Sequence, residues 1–191
     1  MNPASTIVYR IDAEDRLVHV NEAWCDFARN NDGAAVTPAN VLGTSLWQHI
    51  TEPTVHDIYV RLVKRARGGH PTAFDYRCDA PGWRREYRMT IAGQPDGSVE
   101  FASRLLSQTP RPVIRLLDAQ QPRDRRLVRV CSWCHCISAG GDRWLQLEAG
   151  VNELKLMAGD TLPRLTHGIC PACAWHHFQM YPADLPQPSL S

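Results

Sequence analysis

IVYRIDAEDRLVHVNEAW, residues 7–24, decides the fold of the first half of the chain. Ile7, Val8, Tyr9 and Ile11 make a short apolar strand, Asp12–Asp15 supply a polar turn, and Leu17–Val20 resume the strand pattern. The stretch therefore reads as a β-hairpin. Asn21 suits a helix N-cap, because its short side chain can accept a hydrogen bond from one of the first free amides. Trp24, Phe27 and Ala28 recur at i, i+3 and i+4, which predicts a buried stripe on a short helix.

The next segments extend this pattern. VLGTSLWQHI, residues 41–50, is a connection with apolar anchors at Leu42, Leu46, Trp47 and Ile50. Val55, Ile58, Tyr59, Leu62, Val63 and Ala66 then follow a helical period over residues 53–67. Thr51 is the expected cap of that helix, Pro53 suits its first turn, and Gly68-Gly69 stop it. Phe74, Tyr76 and Cys78 alternate with polar residues up to a turn at Ala80–Gly82. Tyr87, Met89 and Ile91 alternate up to a turn at Pro95–Gly97, and Val99, Phe101 and Leu105 repeat the pattern. Two strands, a helical crossing and three strands predict an α+β fold: a five-stranded antiparallel sheet with helices on one face.

YRIDAEDRLVHVNEAW, VLGTSLWQHI and FDYRCD, in that element order, resemble a PAS domain. The likeness covers residues 7 to about 106, so residues 1–106 are assigned as a PAS-like sensory domain. The resemblance implies a ligand held between sheet and helices, or dimerisation. Trp24, Phe27, Trp47, Tyr59, Phe74, Tyr76, Tyr87 and Phe101 are the candidate lining residues; the residues alone read as ordinary core. The reactive-cysteine motif of light-sensing flavin PAS domains is absent. His49 and His56 are read as surface or capping residues rather than haem ligands.

SQTPRPVIRLLDAQQPRDRRL, residues 107–127, holds three prolines and five arginines and reads as a linker. Val113–Leu117 is the part of it able to dock as a strand or helical turn. PADLPQPSLS, residues 182–191, reads as a disordered tail.

Five of the seven cysteines lie after residue 130. Cys131-Ser-Trp-Cys134-His135 fits the pattern of covalent c-type haem attachment, and equally half of a four-cysteine zinc site. The other half is Cys170-Pro-Ala-Cys173, inside HGICPAC. Each pair can place two sulfurs on one ion, and thiolate suits the borderline-soft Zn²⁺. Covalent haem attachment in bacteria looks like an export-side process, and the N-terminal residues show no export signal. One structural Zn²⁺ on Cys131, Cys134, Cys170 and Cys173 is therefore the preferred reading. CSWC, Trp144–Glu148 and HGICPAC resemble a small treble-clef-like zinc-finger module of bacterial signalling proteins, over residues 130 to about 176, and residues 128–181 are assigned as a four-cysteine zinc-binding module. That resemblance leads one to expect basic residues after the second cysteine, where His135 and Cys136 stand instead. Cys136 reads as a small buried apolar residue, with a spare ligand or a redox thiol as the sharper alternatives. His167, with His135 and Cys136, is a candidate for the layer around the ligands. His176 and His177 read as surface histidines, and Trp144 and Leu147 as the module's small core.

A net charge of +1 gives no indication of a strong general attraction to nucleic acid or anionic membrane. No stretch is long and apolar enough to span a bilayer, which leads to the expectation of a cytoplasmic, bacterial-type protein without membrane contact. There is no phosphate-binding glycine loop and no nucleophile elbow, and a four-cysteine zinc leaves no open position for water. The acidic turn Asp12, Glu14 and Asp15 reads as a solvated loop. A sensing or regulatory role without catalysis follows, with a small-molecule ligand, a second copy or a regulatory protein as partner. A zinc-finger nucleic-acid-binding regulator and a thiol-redox or metal sensor that releases zinc are the alternatives.

Overall fold

The computed structural model describes residues 6–31, 33 and 36–178. The tail expected at 182–191 and the last residues of the expected zinc module lie outside them. The chain divides into two compact units. The first comprises the residues up to Thr51, His56–Tyr76 and Arg85–Gln108; the second comprises Glu52–Val55, Arg77–Arg84 and the residues from Thr109 on.

The first unit is the expected mixed α+β fold. Strands β1 (Ile7–Ile11) and β2 (Leu17–Val20) form the hairpin. Strands β3 (Thr72–Arg77), β4 (Trp83–Gly93) and β5 (Val99–Pro110) complete a five-stranded sheet in the order β2-β1-β5-β4-β3. The hairpin's β1 pairs antiparallel with β5, Tyr9 opposite Phe101 and Ile11 opposite Val99. Ile7, Ile11, Tyr87, Met89, Ile91, Val99 and Phe101 are buried on the face that the helices cover.

Helix α1 (Glu22–Asn30) begins as its sequence dictates, with the Asn21 side chain accepting from the Trp24 amide. Its stripe is only half-buried, and no α1 residue is fully enclosed. The Phe27 and Tyr87 rings meet perpendicular at 6.2 Å, so Phe27 reaches the sheet while α1 remains an outer layer. A short helix α2 (Pro38–Val41) follows. The long helix α3 (Pro53–Arg67) has the predicted bounds, and Ile58, Leu62, Val63 and Ala66 are buried. Its N-terminal amide at Val55 bonds to Glu52 at 2.7 Å, so Glu52, not Thr51, supplies the cap. Glu52 immediately precedes Pro53, and its longer side chain reaches back to the third amide of the helix. At the other end Gly69 takes φ 80°, with Gly69 N–H bonding to Ala66 and His70 N–H to Arg65. That is a Schellman stop, a geometry glycine adopts without strain.

The second unit contains a four-stranded sheet in the order β8-β7-β6-β9. Its strands are β6 (Arg123–Cys131), β7 (Ile137–Ser138), β8 (Trp144–Leu145) and β9 (Leu162–Gly168). The β6–β9 pair is parallel and needs a crossover, which β7, β8 and helix α4 (Leu147–Glu153) provide. Val130, Ile137, Leu147, Val151, Leu156 and Leu162 form the core. Ile114 and Leu116 belong to it as well, at 5% and 0% exposure. The segment expected as a linker is thus packed structure over part of its length. Its arginines explain how a proline-rich stretch is held. Arg115 donates to the carbonyls of Met157 and Gly159, and Arg123 to those of Pro163, Leu116 and Asp118. Trp144, expected in the core beside Leu147, is only half-buried, whereas Leu147 is fully enclosed.

Close backbone approach fixes helix α3 on the sheet. A Cβ at Gly93 would lie 2.3 Å from the Ala66 carbonyl oxygen. Gly93→Ala must therefore separate β4 from α3. It is expected to cost about 2–3 kcal/mol, visible as a fall of several degrees in the midpoint of thermal unfolding.

Candidate metal centre

Strand β6 ends at Cys131, and the chain turns at once. The His135 amide donates to the Cys131 carbonyl at 3.0 Å, and the Cys131 amide to the Cys136 carbonyl at 2.9 Å. His135 takes φ 58°, the left-handed conformation that closes this knuckle. The second pair sits at the start of helix α5 (Pro171–Phe178), with Cys170 just before Pro171 and Cys173 in the first turn. A helix N-terminus offers free amides and a positive dipole end, both favourable to thiolate. The Cys170 amide points at the Cys131 sulfur and the Cys173 amide at the Cys170 sulfur, each at 3.4 Å.

The four Sγ atoms of Cys131, Cys134, Cys170 and Cys173 all lie within 4.8 Å of one another. Cys134 and Cys170 are 3.7 Å apart. A tetrahedron with Zn–S bonds of about 2.3 Å has edges of about 3.8 Å. Three of the cysteines are buried and Cys134 is partly exposed. The Cys131 thiol is pushed well down by hydrogen bonds from the other three sulfurs, while Cys170 and Cys173 are pushed well up by the same cluster. Donor identity, spacing and the amides aimed at sulfur all fit a four-coordinate Zn²⁺.

Of the residues expected around the ligands, Cys136 is buried at 8% exposure, and burial pushes its thiol up. His167 lies on β9 opposite Val130, at the surface. His135 has its Nδ1 3.5 Å from an Asp79 carboxylate oxygen.

That carboxylate belongs to a cluster that the sequence did not announce. Asp79 is fully enclosed, and Arg77 and Arg111 are 7% exposed at the side chain. Both arginines pair with Asp79, and Arg111 also reaches Glu148 at 3.0 Å. Arg77 then grips the knuckle: its amide donates to the Trp133 carbonyl at 2.6 Å and its guanidinium to the Cys134 carbonyl at 3.2 Å. Trp133, itself 3% exposed, packs edge-on against Phe178 of α5 at 5.0 Å. The knuckle is therefore held by a buried ion cluster on one side and by α5 on the other. FDYRCD contains two of these residues, but their partner at position 111 is hidden by its distance along the chain.

The aromatic residues expected to line a PAS cavity form two groups in the first unit. Tyr9 stacks on Phe101 at 4.5 Å, with Tyr59 6.4 Å from the same ring. Phe74, Tyr76, Tyr87 and Phe27 make a chain of ring contacts, and Tyr76 donates to Ser103 at 3.0 Å. Trp24 is half-buried on α1. Trp47 stands apart from both groups, its indole N–H bonded to Asp15 at 2.8 Å and its ring against His56. His49 bonds to Thr44. Tyr9 was legible only as a strand residue; its phenol shares the interior with Tyr59 and Tyr76, whose influence adds to burial in raising its pKa.

No family model matches the chain, and no curated protein matches it either. Solved structures resemble about half of it. The PAS domain from Bordetella pertussis BvgS is 19% identical, with a TM-score of 0.40, over 56% of this chain and 79% of that one. A domain of the sensory box sensor histidine kinase/response regulator from Geobacter sulfurreducens is 18% identical, with a TM-score of 0.38, over 52% and 82%. The photoactive yellow protein domain from the sensor histidine kinase Ppr of Rhodospirillum centenum is 20% identical, with a TM-score of 0.36, over 52% and 90%. The observed sheet order and packing carry the fold assignment by themselves. Among the described residues no helix is long and apolar enough to cross a membrane.

Two outcomes follow from these sites. Asp79→Asn leaves two buried guanidinium groups without their carboxylate and should destabilise the second unit by about 3 kcal/mol, measured by denaturant unfolding. Burial pushes the Tyr59 phenol up to about 12, from an unfolded value near 10, and Tyr9 moves in the same direction. A raised phenol favours the folded state below the unfolded pKa, and that contribution is lost as pH rises through the folded one. Phenolate absorbance should therefore appear in two stages, the later one near pH 12 and accompanied by unfolding of the first unit.

Proposed function

We propose that this chain is a signal-sensing or regulatory protein without catalysis of its own. Its PAS-like unit takes a small ligand or pairs with a second copy, and its second unit is a structural zinc module that presents a surface to a partner. The observation that carries this reading is the convergence of four thiols, from two C-x-x-C pairs 35 residues apart, to within 4.8 Å. Cys131, Cys134, Cys170 and Cys173 would hold the ion. Bound there, Zn²⁺ supplies charge neutralisation and a cross-link rather than an open coordination position.

The chain's own residues prepare that site. Backbone amides face two of the sulfurs, Arg77 fixes the knuckle carbonyl, and Trp133 closes the knuckle against α5. No described nucleophile–base pair stands beside the cysteines, and the buried Asp79 is engaged by two arginines. That arrangement supports a structural role better than a hydrolytic one. Likewise, the stacked Tyr9, Phe101 and Tyr59 support a packed interior whose ligand chemistry is aromatic and apolar, with phenol groups as its polar points.

Native mass spectrometry of the untagged protein tests the reading. One zinc per chain and no covalent adduct are expected. Removal of the metal by a chelator should unfold the second unit while the five-stranded sheet persists, read by circular dichroism and by Trp133 fluorescence. A metal-free mass, or a covalent haem, sinks the zinc assignment.

A further inference from the structure

One face of the β8-β7-β6-β9 sheet is packed and the other is not. Val128, Val130, Ile137 and Leu165 point into the core. Alternation then places Trp144 of β8, Ser138 of β7, Leu127 and Arg129 of β6, and Arg164 and Thr166 of β9 on the opposite face. The strand register sets Ser138 beside Trp144, Thr166 beside Arg129 and Arg164 beside Leu127. Leu127 is 67% exposed and Arg164 is exposed, so no described residue of the second unit covers this part of the face.

The charges on the face are unbalanced. The arginines elsewhere in the second unit are engaged: Arg77 and Arg111 by Asp79, Arg126 by Asp124, Arg143 by Glu153, and Arg115 and Arg123 by carbonyls. Among the described residues Arg129, Arg164 and the neighbouring Arg125 have no carboxylate partner. Asp124, the nearest acid along the strand, is held by Arg126 through two bonds of 2.9 and 2.7 Å.

Arg129 is also shaped. A Cβ at Gly168 would meet its guanidinium at 2.3 Å, so the group occupies the space that a side chain there would fill. Its other neighbour is the Trp144 ring, with the guanidinium carbon 6.0 Å from the centroid. The result is a planar cation held over one side of an indole, on a sheet face flanked by hydroxyls and further guanidinium groups.

We propose that this face binds single-stranded nucleic acid, with Arg125, Arg129 and Arg164 on the phosphates and the Arg129–Trp144 pair as a stacking platform for a base. Charge alone would suit any polyanion. The flat aromatic and guanidinium surface decides between them, because bases stack on such surfaces and carboxylate side chains do not. A near-neutral chain with three available arginines would bind weakly, in the range of non-specific complexes, about 10⁻⁴–10⁻⁵ M. The proposal names the partner of the zinc module and so rests on that module being folded around its metal.

The experiment is fluorescence anisotropy of a labelled twelve-nucleotide oligo(U) with the full-length protein, its zinc content and circular dichroism recorded on the same samples. Binding should weaken with salt at a log–log slope of about −2, as three phosphate contacts on a single strand require. The double variant Arg129→Gln/Arg164→Gln should lose roughly tenfold or more in affinity and flatten the slope. Trp144→Leu should lose roughly tenfold with the slope unchanged, which separates stacking from charge. Arg164→Gln alone alters an exposed side chain and keeps the test decisive if either of the others folds poorly. Zinc-loaded, folded protein that shows no binding at low salt overturns the proposal, as does binding indifferent to these substitutions. Displacement of the oligonucleotide by polyglutamate of equal charge at equal concentration would mean an acidic protein segment, and also overturns it. A folded chain without zinc would sink the metal assignment and leave the binding result to stand on its own.

Discussion

Four sulfurs within 4.8 Å of one another cannot all be anionic unless a cation sits among them. Two unit charges about 4 Å apart repel by about 4 kcal/mol at an effective dielectric of 20, and four thiolates make six such pairs. Much else in the second unit is arranged about this constraint. Strand β6 brings one cysteine and the start of α5 brings two, and the parallel β6–β9 pairing sets Cys131 opposite Gly168, two residues before Cys170. The core under the sheet is small, built largely from Val130, Ile137, Leu147, Leu162 and the two residues Ile114 and Leu116. A unit of that size would gain much of its stability from a metal cross-link if the four sulfurs hold an ion.

Local patterns were readable where the physics is local. The hairpin at 7–20, the Asn21 cap, the α3 period and the glycine stop depend on residues within a few positions of one another, and each stands where its pattern predicts. The two C-x-x-C pairs were readable for the same reason, since each knuckle is a short turn. What escaped depends on distant partners. Arg77, Asp79 and Arg111 join only after folding, and nothing in their spacing marks a buried ion cluster. Residues 107–127 carry the composition of a linker, and the part read as able to dock, Val113–Leu117, does so as a helical turn with Ile114 and Leu116 enclosed; what escaped is the bonding of Arg115 and Arg123 to backbone carbonyls. Composition reports solvent preference, and here hydrogen bonding to the main chain overrides it. Trp144 shows the limit of a different rule: a large aromatic in a small module was expected inside, but its strand position places it on the open face beside Arg129.

The parallel pairing of β6 with β9 also orders events in time. Residues 123–131 find their partner only at 162–168, after a hairpin and a helix have intervened. Such non-local contacts form slowly, because the intervening loop must close before any pairing rewards it. On a ribosome, Cys131 and Cys134 would emerge well before Cys170 and Cys173, with their half of the four-cysteine cluster alone and their strand unpaired on one edge. An unpaired edge beside exposed thiols is a vulnerable intermediate. The lysine-free, arginine-rich run from 123 to 129 keeps that waiting edge charged, so the feature that shapes the open face of the finished sheet also keeps the unfinished strand in solution.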